Sequence, residues 1–384
     1  MMYMKVRLGN YIEEYSKKNK ADEDIPVYSV TSTQGFCRDY FGKEVASKDK
    51  TTYKIVPQGC FAYNPSRINV GSVDWQRNEE RVIVSPLYNV FSVSEELDQE
   101  YLYYYLKSDF ALQRIRAVAT GSVRDNLKLE MLKEFPILLP PKNDQKTIVN
   151  NLDRVKRIIE LRKSEIDKMN ELIKARFVEM FGDMYLNSKE WPEAKLESMA
   201  DVVSGITKGR KTKAEDLTEV PYMAVSNVKD GYIDWTTVKT IEATQQEIEK
   251  YRLLADDVLM TEGGDPDKVG RGAIIKEPLE NCIHQNHIFR VRLDESMMRP
   301  EFFAEYLQHQ RSKRYFLGCA KQTTGIASIN MTQLRALPVL VPPLSRQEEF
   351  VLFKAQVDKS KVAVQKALEK TQLLFDSLMQ QYFG

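Results

Sequence analysis

The residues with the clearest potential for metal chemistry lie in the second half of the chain. Asp265-Pro266-Asp267-Lys268 combines two carboxylates with a lysine, the residue types that hold Mg²⁺ and assist an attacking water in nucleases. Cys282, His284 and His287 could form one corner of a metal site, but zinc needs three or four ligands and no second pair stands at standard spacing. Because the first segment lies in a Gly-rich stretch with no Glu-x-Lys after it, the sequence predicts a turn there and no metal site.

A second segment, Asn64-Pro65-Ser66-Arg67, resembles half of the Asn/Asp-Pro-Pro-aromatic signature with which amino-methyltransferases hold their target amine. The second proline and the aromatic residue are missing, and no Gly-rich cofactor loop precedes the segment. The phosphate-binding pattern Gly-x-x-x-x-Gly-Lys-Ser/Thr and the nucleophile elbow Gly-x-Ser-x-Gly are also absent from the sequence. We therefore predict a turn at 64–67, no catalytic residue, and no cofactor bound by this chain.

What remains is polar loop chemistry suited to contacts with DNA. Basic side chains and short donors and acceptors recur in loops of both halves of the chain, where they can neutralise phosphates or bond to base edges. The predicted contact residues are Asn64, Ser66, Arg67 and Asn69 in the first half, and Lys208, Arg210, Lys211, Ser226, Asn227 and Lys229 in the second. For each residue alone a solvated surface loop is the alternative interpretation, and the recurrence in both halves favours DNA contact.

The elements that must position these loops are duplicated. Phe135–Pro141 (FPILLPP) recurs as Leu337–Pro343 (LPVLVPP), at an offset of 202 residues. The same offset, without a gap, pairs Leu132 with Leu334, Gln145 with Gln347, Lys168 with Lys370 and Gly182 with Gly384. A constant register over about fifty residues indicates an internal repeat, so the chain is organised as module, long segment, module, long segment.

Each long segment has the apolar spacing of a coiled coil. The seam residues, interrupted at Arg162 and Lys361, are Leu152, Val155, Ile159, Ile166, Met169 and Ile173 in the first segment and Val357, Val364, Leu368, Phe375 and Leu378 in the second. Asn143 and Ser345 are the predicted N-caps. About 38 residues give a helix about 55 Å long, which must bury its seam against a partner. An antiparallel pair within the chain is the prediction, and a coiled coil between two chains is the alternative.

The composition is that of an ordinary globular protein, with 384 residues, 42% hydrophobic residues and a formal net charge of +1. This charge excludes a histone-like polyanion binder, which needs an excess of Lys and Arg, but it allows a local DNA-binding patch. Leu87–Val93 and His287–Leu293 alternate like half-buried strands in the middle of each module. The predicted fold class is α+β, with two pseudo-symmetric modules joined by two long antiparallel coiled-coil helices.

The expected compartment is the cytoplasm. Met1–Arg7 lacks the layout of a signal peptide, and no window approaches eighteen uninterrupted apolar residues. The four cysteines form no CxxC pair, so we expect them to be reduced. No contact with a membrane is predicted.

Together these features resemble the specificity (S) subunit of type I restriction-modification systems. The resemblance covers essentially the whole chain. It rests on the doubled Leu-x-x-x-Pro-x-x-x-Pro-Pro-x-x-x-Gln blocks at Leu132–Gln145 and Leu334–Gln347, on the helices after them, and on the Phe-Gly ends of those helices.

The resemblance implies two target-recognition domains, 1–134 and 183–336, each reading one half of a bipartite site in double-stranded DNA. It implies two conserved helical spacers, 135–182 and 337–384, that pair antiparallel, act as a ruler and dock methylation (M) subunits. Two M subunits would carry S-adenosylmethionine, and restriction (R) subunits would use ATP and Mg²⁺. The chain itself is then expected to be a noncatalytic specificity subunit.

Two other functions compete with this one. A specificity-like chain with its own methyltransferase or nuclease centre would use Asn64-Pro65 or Asp265–Lys268. A coiled-coil scaffold without a DNA function would need only the helices, and not two modules with matching basic loops.

The length of the predicted helices agrees with the implied function. Helices of about 55 Å exceed one DNA turn of roughly 34 Å, so two modules joined by them can address half-sites separated by a nonspecific gap.

Overall fold

The structure, a computed structural model, describes residues 4–38, 49–119, 126–210, 216–265, 269–323 and 325–384. The chain divides into two units, Met1–Glu165 together with Val364–Gly384, and Ile166–Ala363. Each unit holds one α+β module and a part of each long helix.

The first module consists of short strands and short helices. In chain order they are β1 Lys5–Arg7, β2 Ile12–Glu14, β3 Ser29–Thr31, β4 Gly35–Cys37, β5 Lys54–Pro57, β6 Phe61–Tyr63, β7 Val73–Trp75, β8 Arg81–Val84, β9 Asn89–Val93, α1 Gln99–Lys107, α2 Asp109–Val118, α3 Leu129–Lys133 and β10 Pro136–Leu138.

The remaining elements include both long helices and the second module. They are α4 Lys142–Phe181, β11 Glu193–Lys195, β12 Ala200–Ser204, β13 Thr218–Met223, β14 Lys239–Ala243, α5 Gln245–Tyr251, β15 Val258–Thr261, β16 Gly263–Gly264, β17 Gly272–Ile274, β18 Ile283–His284, β19 Ile288–Leu293, α6 Pro300–Tyr306, α7 Gln310–Cys319, β20 Lys321–Thr323, β21 Ile326–Ser328, α8 Met331–Arg335, β22 Pro338–Leu340 and α9 Leu344–Phe383.

The two modules are built on the same four-stranded antiparallel sheet. Its order is β2-β9-β6-β7 in the first module and β12-β19-β15-β17 in the second. The strand-like runs therefore lie at corresponding positions, as the sequence predicts. They differ from the expected half-buried strands, because the central strand is covered on both faces. In β9, Phe91 packs in one core beside Phe61, with ring centroids 5.1 Å apart, while Val90 is buried in a second cluster.

The repeated proline motifs close each module as a strand. Pro136–Leu138 pairs antiparallel with β1, and Pro338–Leu340 pairs antiparallel with β11. A helix tyrosine donates a hydrogen bond to each motif. The Tyr105 hydroxyl of α1 donates to the Pro136 carbonyl (2.8 Å), and the Tyr306 hydroxyl of α6 donates to the Pro338 carbonyl (2.9 Å). Proline suits this edge position because it has no N–H to leave unpaired.

The two long helices, 40 residues each, run antiparallel. In the first unit, Leu152 near the start of α4 lies in the same hydrophobic core as Phe383 at the end of α9. In the second unit, Phe177 near the end of α4 packs against Phe350 at the start of α9, with ring centroids 5.2 Å apart. The predicted intramolecular antiparallel pair is therefore present, and at 1.5 Å per residue each helix is about 60 Å long.

The helices begin earlier than the sequence indicates. Asn143 and Ser345, the predicted N-caps, lie inside α4 and α9. The Gln145 N–H donates to the Pro141 carbonyl (3.0 Å), so Pro141 accepts a hydrogen bond of the first turn of α4. Proline tolerates this position because the first helical N–H groups have no intrahelical acceptor.

The polar interruption at Arg162 is accommodated by hydrogen bonds across the seam. Its guanidinium donates to the Ala367 carbonyl and to the Thr371 hydroxyl of α9, all within the first unit. Thr371 is 8% exposed. The charged side chain of Arg162 can therefore occupy a seam position, because α9 supplies hydrogen-bond acceptors for it there.

Candidate nucleic-acid interface

The predicted contact loop of the first module follows β6 directly. Asn64 accepts hydrogen bonds from the Ser66 N–H (3.1 Å) and hydroxyl (3.0 Å), and its carbonyl accepts from the Arg67 N–H (2.9 Å). These bonds define the turn that the sequence predicts at 64–67. Arg67 is exposed at the tip, and the Asn69 carbonyl accepts from Arg116 Nε (3.3 Å). The turn leaves a cation facing solvent, where it is able to meet a phosphate or a guanine edge.

The basic loop of the second module is partly neutralised within the protein. Arg210 makes a bidentate pair with Glu247, with both N···O distances 2.6 Å, and this pairing lowers the pKa of Glu247 to about 2. Lys208 is exposed beside it. Lys211 lies outside the described residues. Lys208 is therefore ready to meet a phosphate, whereas Arg210 would first have to leave Glu247.

The second predicted loop of this module follows β13. Ser226 is exposed and Lys229 is half-buried. Asn227 is 0% exposed: its Oδ1 accepts from the Ala224 N–H (3.0 Å), and its Nδ2 donates to the Asp234 carbonyl (2.9 Å) and the Thr237 hydroxyl (3.1 Å). With these bonds made and no exposed surface, Asn227 braces the loop.

Backbone pairing brings the two loops of the second module together. The Asn286 N–H donates to the Ile206 carbonyl (3.0 Å), and the Gln285 N–H donates to the Met223 carbonyl (3.0 Å). The segment that contains Gln285 and Asn286 therefore lies between the starts of the Lys208 loop and the Ser226 loop. The residue after it is His287.

His287 and Glu262 form a polar pair that the DNA-contact prediction omitted. Glu262 follows β15 and His287 precedes β19, and Glu262 Oε2 lies 2.5 Å from His287 Nδ1. The pair lines a cleft of about 340 Å³ together with Val225, Gly263 and Ser328. The sequence contains an indication of this pair, since the strand-like run Leu254–Met260 before Glu262 matches the run Ile55–Tyr63 before Asn64.

The potential metal corner is not assembled. Cys282 and His284 are each 0% exposed, and burial raises the pKa of the Cys282 thiol to about 12 and lowers the pKa of His284 to about 4. Within the described ranges, no group of three or more His, Cys, Asp or Glu residues is placed to hold a metal ion. Of the Asp265–Lys268 segment, residues 266–268 lie outside those ranges.

The seam residues of the long helices are placed as follows. Leu152, Ile159 and Ile173 are buried, and the others are half-buried, namely Val155, Ile166, Met169, Val357, Val364, Leu368, Phe375 and Leu378. Ile173 and Val357 belong to one packed cluster of the second unit, and Leu152, Phe375 and Leu378 belong to one of the first. In the part of the chain that the structure describes, no helix is long and apolar enough to cross a membrane.

The fold and the loops define a class of protein: two copies of one α+β module, with polar loops at matching sheet edges, joined by an antiparallel pair of long helices. The sequence matches the family described as the type I restriction modification DNA specificity domain over residues 7–171 and again over residues 188–373. The chain therefore belongs to this family and contains two copies of its DNA specificity domain.

Individual relatives agree with this assignment. The chain is 24% identical over 401 residues to the type I restriction enzyme StySPI specificity subunit of Salmonella potsdam, covering 98% of this chain and 86% of that subunit. It is 23% identical over 301 residues to the EcoKI specificity subunit of Escherichia coli K12, covering 74% of this chain. That alignment spans 64% of the EcoKI subunit, and the one with the putative MjaX specificity subunit of Methanocaldococcus jannaschii spans 46% of its length.

Solved structures share the fold. A chain from a structural study of complex assembly and conformational transition of the type I R-M system superimposes with a TM-score of 0.62 at 17% identity, covering 99% of this chain and 97% of that one. The S subunit from M. genitalium superimposes with a TM-score of 0.54 at 16% identity, covering 100% and 96%.

Proposed function

We propose that this chain selects the DNA target of a type I restriction-modification complex, with each module reading one half of a bipartite site. The observation that carries the proposal is the duplicated module: one sheet order occurs twice, while the polar residues at the matching sheet edges differ. One polypeptide with two unlike readers can recognise two different half-sites, which a symmetric homodimer cannot.

The paired helices set the spacing between half-sites and dock the methylation subunits. Helices of about 60 Å are longer than one DNA turn of roughly 34 Å. The chain is noncatalytic in this proposal. Two M subunits bind S-adenosylmethionine and transfer its methyl group to adenine. R subunits cleave DNA with ATP and Mg²⁺. We place the complex in the cytoplasm, where bacterial and archaeal chromosomal DNA and these substrates occur together.

The direct test is to map methylated adenines in DNA from cells that express the chain with its cognate M subunits. The expected result is one motif made of two short specific parts and a gap of fixed length. A single continuous motif, or no sequence-specific methylation, would contradict the proposal. Methyl transfer or DNA cleavage by the purified chain alone would instead favour the alternative of an intrinsic catalytic centre.

The ruler is tested by a matched deletion of one heptad from each helix. Ile159–Glu165 and Leu368–Leu374 both lie between the contacts Asn151–Tyr382 and Arg176–Glu349, so the flanking pairs keep their partners. Removing seven residues shortens the pair by about 10 Å, equal to about three base pairs at 3.4 Å each. The gap in the methylation motif should shrink by about three base pairs. Deletion from one helix alone should abolish assembly, and an unchanged gap after the matched deletion would refute the ruler.

Modular reading is tested with the basic loop of the second module. Replacing Lys208, Arg210 and Lys211 by Ala should weaken binding through one half-site and reduce the salt dependence of binding by about one phosphate contact per active cation. The base preference in the other half-site should stay unchanged. Arg67→Ala is the matched variant in the first module and should act on the opposite half-site. Equal relaxation of both halves by either variant would argue against separate readers.

A further inference from the structure

We propose that Glu262 and His287 form a base-reading site of the second module that binds an exocyclic amino group, cytosine N4 or adenine N6, at a base edge in the major groove. This inference rests on the proposed function and names the chemistry by which one module discriminates. Neither residue was among the contacts predicted from the sequence.

The two residues are held at one edge of the sheet by backbone pairing. Thr261, which precedes Glu262, pairs with Ile288, which follows His287, in the β15–β19 ladder. Glu262 Oε2 lies 2.5 Å from His287 Nδ1, and His287 Nε2 lies 3.4 Å from Asn286 Nδ2. A carboxylate only accepts hydrogen bonds, so His287 Nδ1 carries a proton and donates to Glu262 Oε2, while Nε2 faces the Asn286 amide. The carboxylate is thus the acceptor that this edge offers to a donor such as a base amine.

Glu262 has acceptor capacity to spare. Its side chain is 34% exposed, and among the described residues its second oxygen, Oε1, has no hydrogen-bond partner. The buried ion pair of this module differs, because Arg292 holds Asp257 through two bonds of 2.8 Å and the Asp257 side chain is 1% exposed. A carboxylate that directs one oxygen to a histidine and keeps the other available matches the acceptor role that Glu plays toward cytosine N4.

The surface around the pair is concave and large enough to admit a base edge. The cleft of about 340 Å³ has Val225 as an apolar wall and Ser328 as a polar one. Gly263 allows β16 and β21 to approach closely at the edge of the cleft, because a Cβ on that residue would lie 2.9 Å from the Ala327 carbonyl oxygen. Small apolar walls with few convergent polar groups are typical of specific binding sites.

The position of the pair matches that of the predicted reader in the other module. Glu262 follows β15, and Asn64 follows β6, which occupies the same place in the sheet order. The cleft also adjoins the loops that carry Lys208 and Ser226, through the Gln285–Asn286 segment that lies between them. Asn and Glu prefer different base edges, so the same strand end gives each module its own preference.

The test uses the complex with its M subunits and the methylation motif of the wild-type chain. We expect one position of one half-site to carry the cytosine or adenine whose amine faces Glu262, and the motif tells which of the two it is. Glu262→Gln keeps one acceptor oxygen, which His287 Nδ1 holds, and presents an NH2 donor to the base in place of the second oxygen. The variant should reduce the preference for that base on the order of tenfold or more, with no change in the other half-site. His287→Gln should reduce the preference at the same position, because Glu262 loses the partner that orients it.

Glu197→Gln is the matched control. Glu197 is exposed and precedes β12, whose opposite end pairs with the β19 residues next to the cleft, so the motif should be unchanged. If a variant loses methylation altogether, equilibrium binding to two duplexes that differ only at the assigned base pair decides. The proposal expects their affinity ratio to move toward one.

An unchanged ratio for Glu262→Gln, or an unchanged motif for both cleft variants, would overturn the proposal. Failure of the proposed function shows itself differently, as a wild-type chain that directs no two-part motif at all.

Discussion

The start of each long helix is tied to its module by one buried glutamine. Gln145 is 0% exposed; its Oε1 accepts from the Asp98 N–H (2.8 Å), and its Nε2 donates to the carbonyls of Glu96 (2.9 Å) and Pro140 (2.8 Å). Asp98 is also the N-cap of α1. One side chain thus fixes the beginnings of two helices, and Gln145→Leu should destabilise the first unit markedly.

The expected loss follows from the groups left without a partner. The Asp98 N–H and the Pro140 carbonyl lose their bonds inside the protein, whereas Glu96 is exposed and its carbonyl can be hydrated. Each orphaned buried group costs about 1–3 kcal/mol, and the more apolar Leu recovers about 1 kcal/mol. The net loss is about 3 kcal/mol, which for a unit of this size lowers the Tm by roughly 6–12 °C.

Gln145→Glu separates hydrogen bonding from shape. The carboxylate still accepts from Asp98 but cannot donate, and it faces the two carbonyls. The helix dipole favours a negative charge at the first turn of α4 by up to about 1 kcal/mol, less than the lost donor bonds cost. Burial and the carbonyls should raise the pKa of Glu above its ordinary 4.3. The folded state then binds the proton more tightly, so the deficit relative to wild type should shrink as the pH falls from 7 to 4.

Calorimetric unfolding of the purified chain measures these effects. Gln347 makes the matching bonds in the second unit, to the Arg299 N–H (2.8 Å) and the carbonyls of Met297 (3.1 Å) and Pro342 (2.8 Å), so Gln347→Leu should give a similar loss there. Gln356→Leu, at an exposed position of α9, is the control. A loss for Gln145→Leu within about 1 kcal/mol of that control would refute the argument.

Two further predictions concern polar groups at the helices. Thr371→Val removes an acceptor of Arg162 and should cost about 1 kcal/mol of unfolding free energy. Adding Arg162→Leu should restore stability, because an apolar pair then replaces a half-buried charge that has lost an acceptor. Chemical denaturation of the single and double variants checks this, and a double variant no more stable than the single one would contradict it. Burial, with repulsion from Lys174 and Lys313, lowers the pKa of His309 to about 4 from its ordinary 6.5, so between these values the unfolded chain holds a proton that the folded chain does not. Stability of the second unit should therefore fall as the pH drops, by about 2 kcal/mol from this residue between pH 7 and pH 5, and His309→Gln should remove that part of the pH dependence in urea titrations; an equal slope in both proteins would contradict it.

The sequence by itself determined the features that repeat locally. The offset of 202 residues, the spacing of seam residues such as Leu152 and Leu378, and the strand runs that became β9 and β19 are patterns over neighbouring residues. Periodicity reports which side of a helix or strand must be buried, and together with the repeat it predicts the modules, the helices and the family.

The tertiary structure decided which polar residues remain available. Arg210 finds Glu247, 37 residues away, and Asn227 is enclosed by a loop that includes Asp234 and Thr237. Glu262 is placed beside His287 because its strand pairs with a distant strand. Such partners are chosen by the path of the whole chain, because a hydrogen bond depends on distance in space and not on separation in sequence. The sequence therefore gives the kind of surface, and only the folded chain gives the side chains that face it.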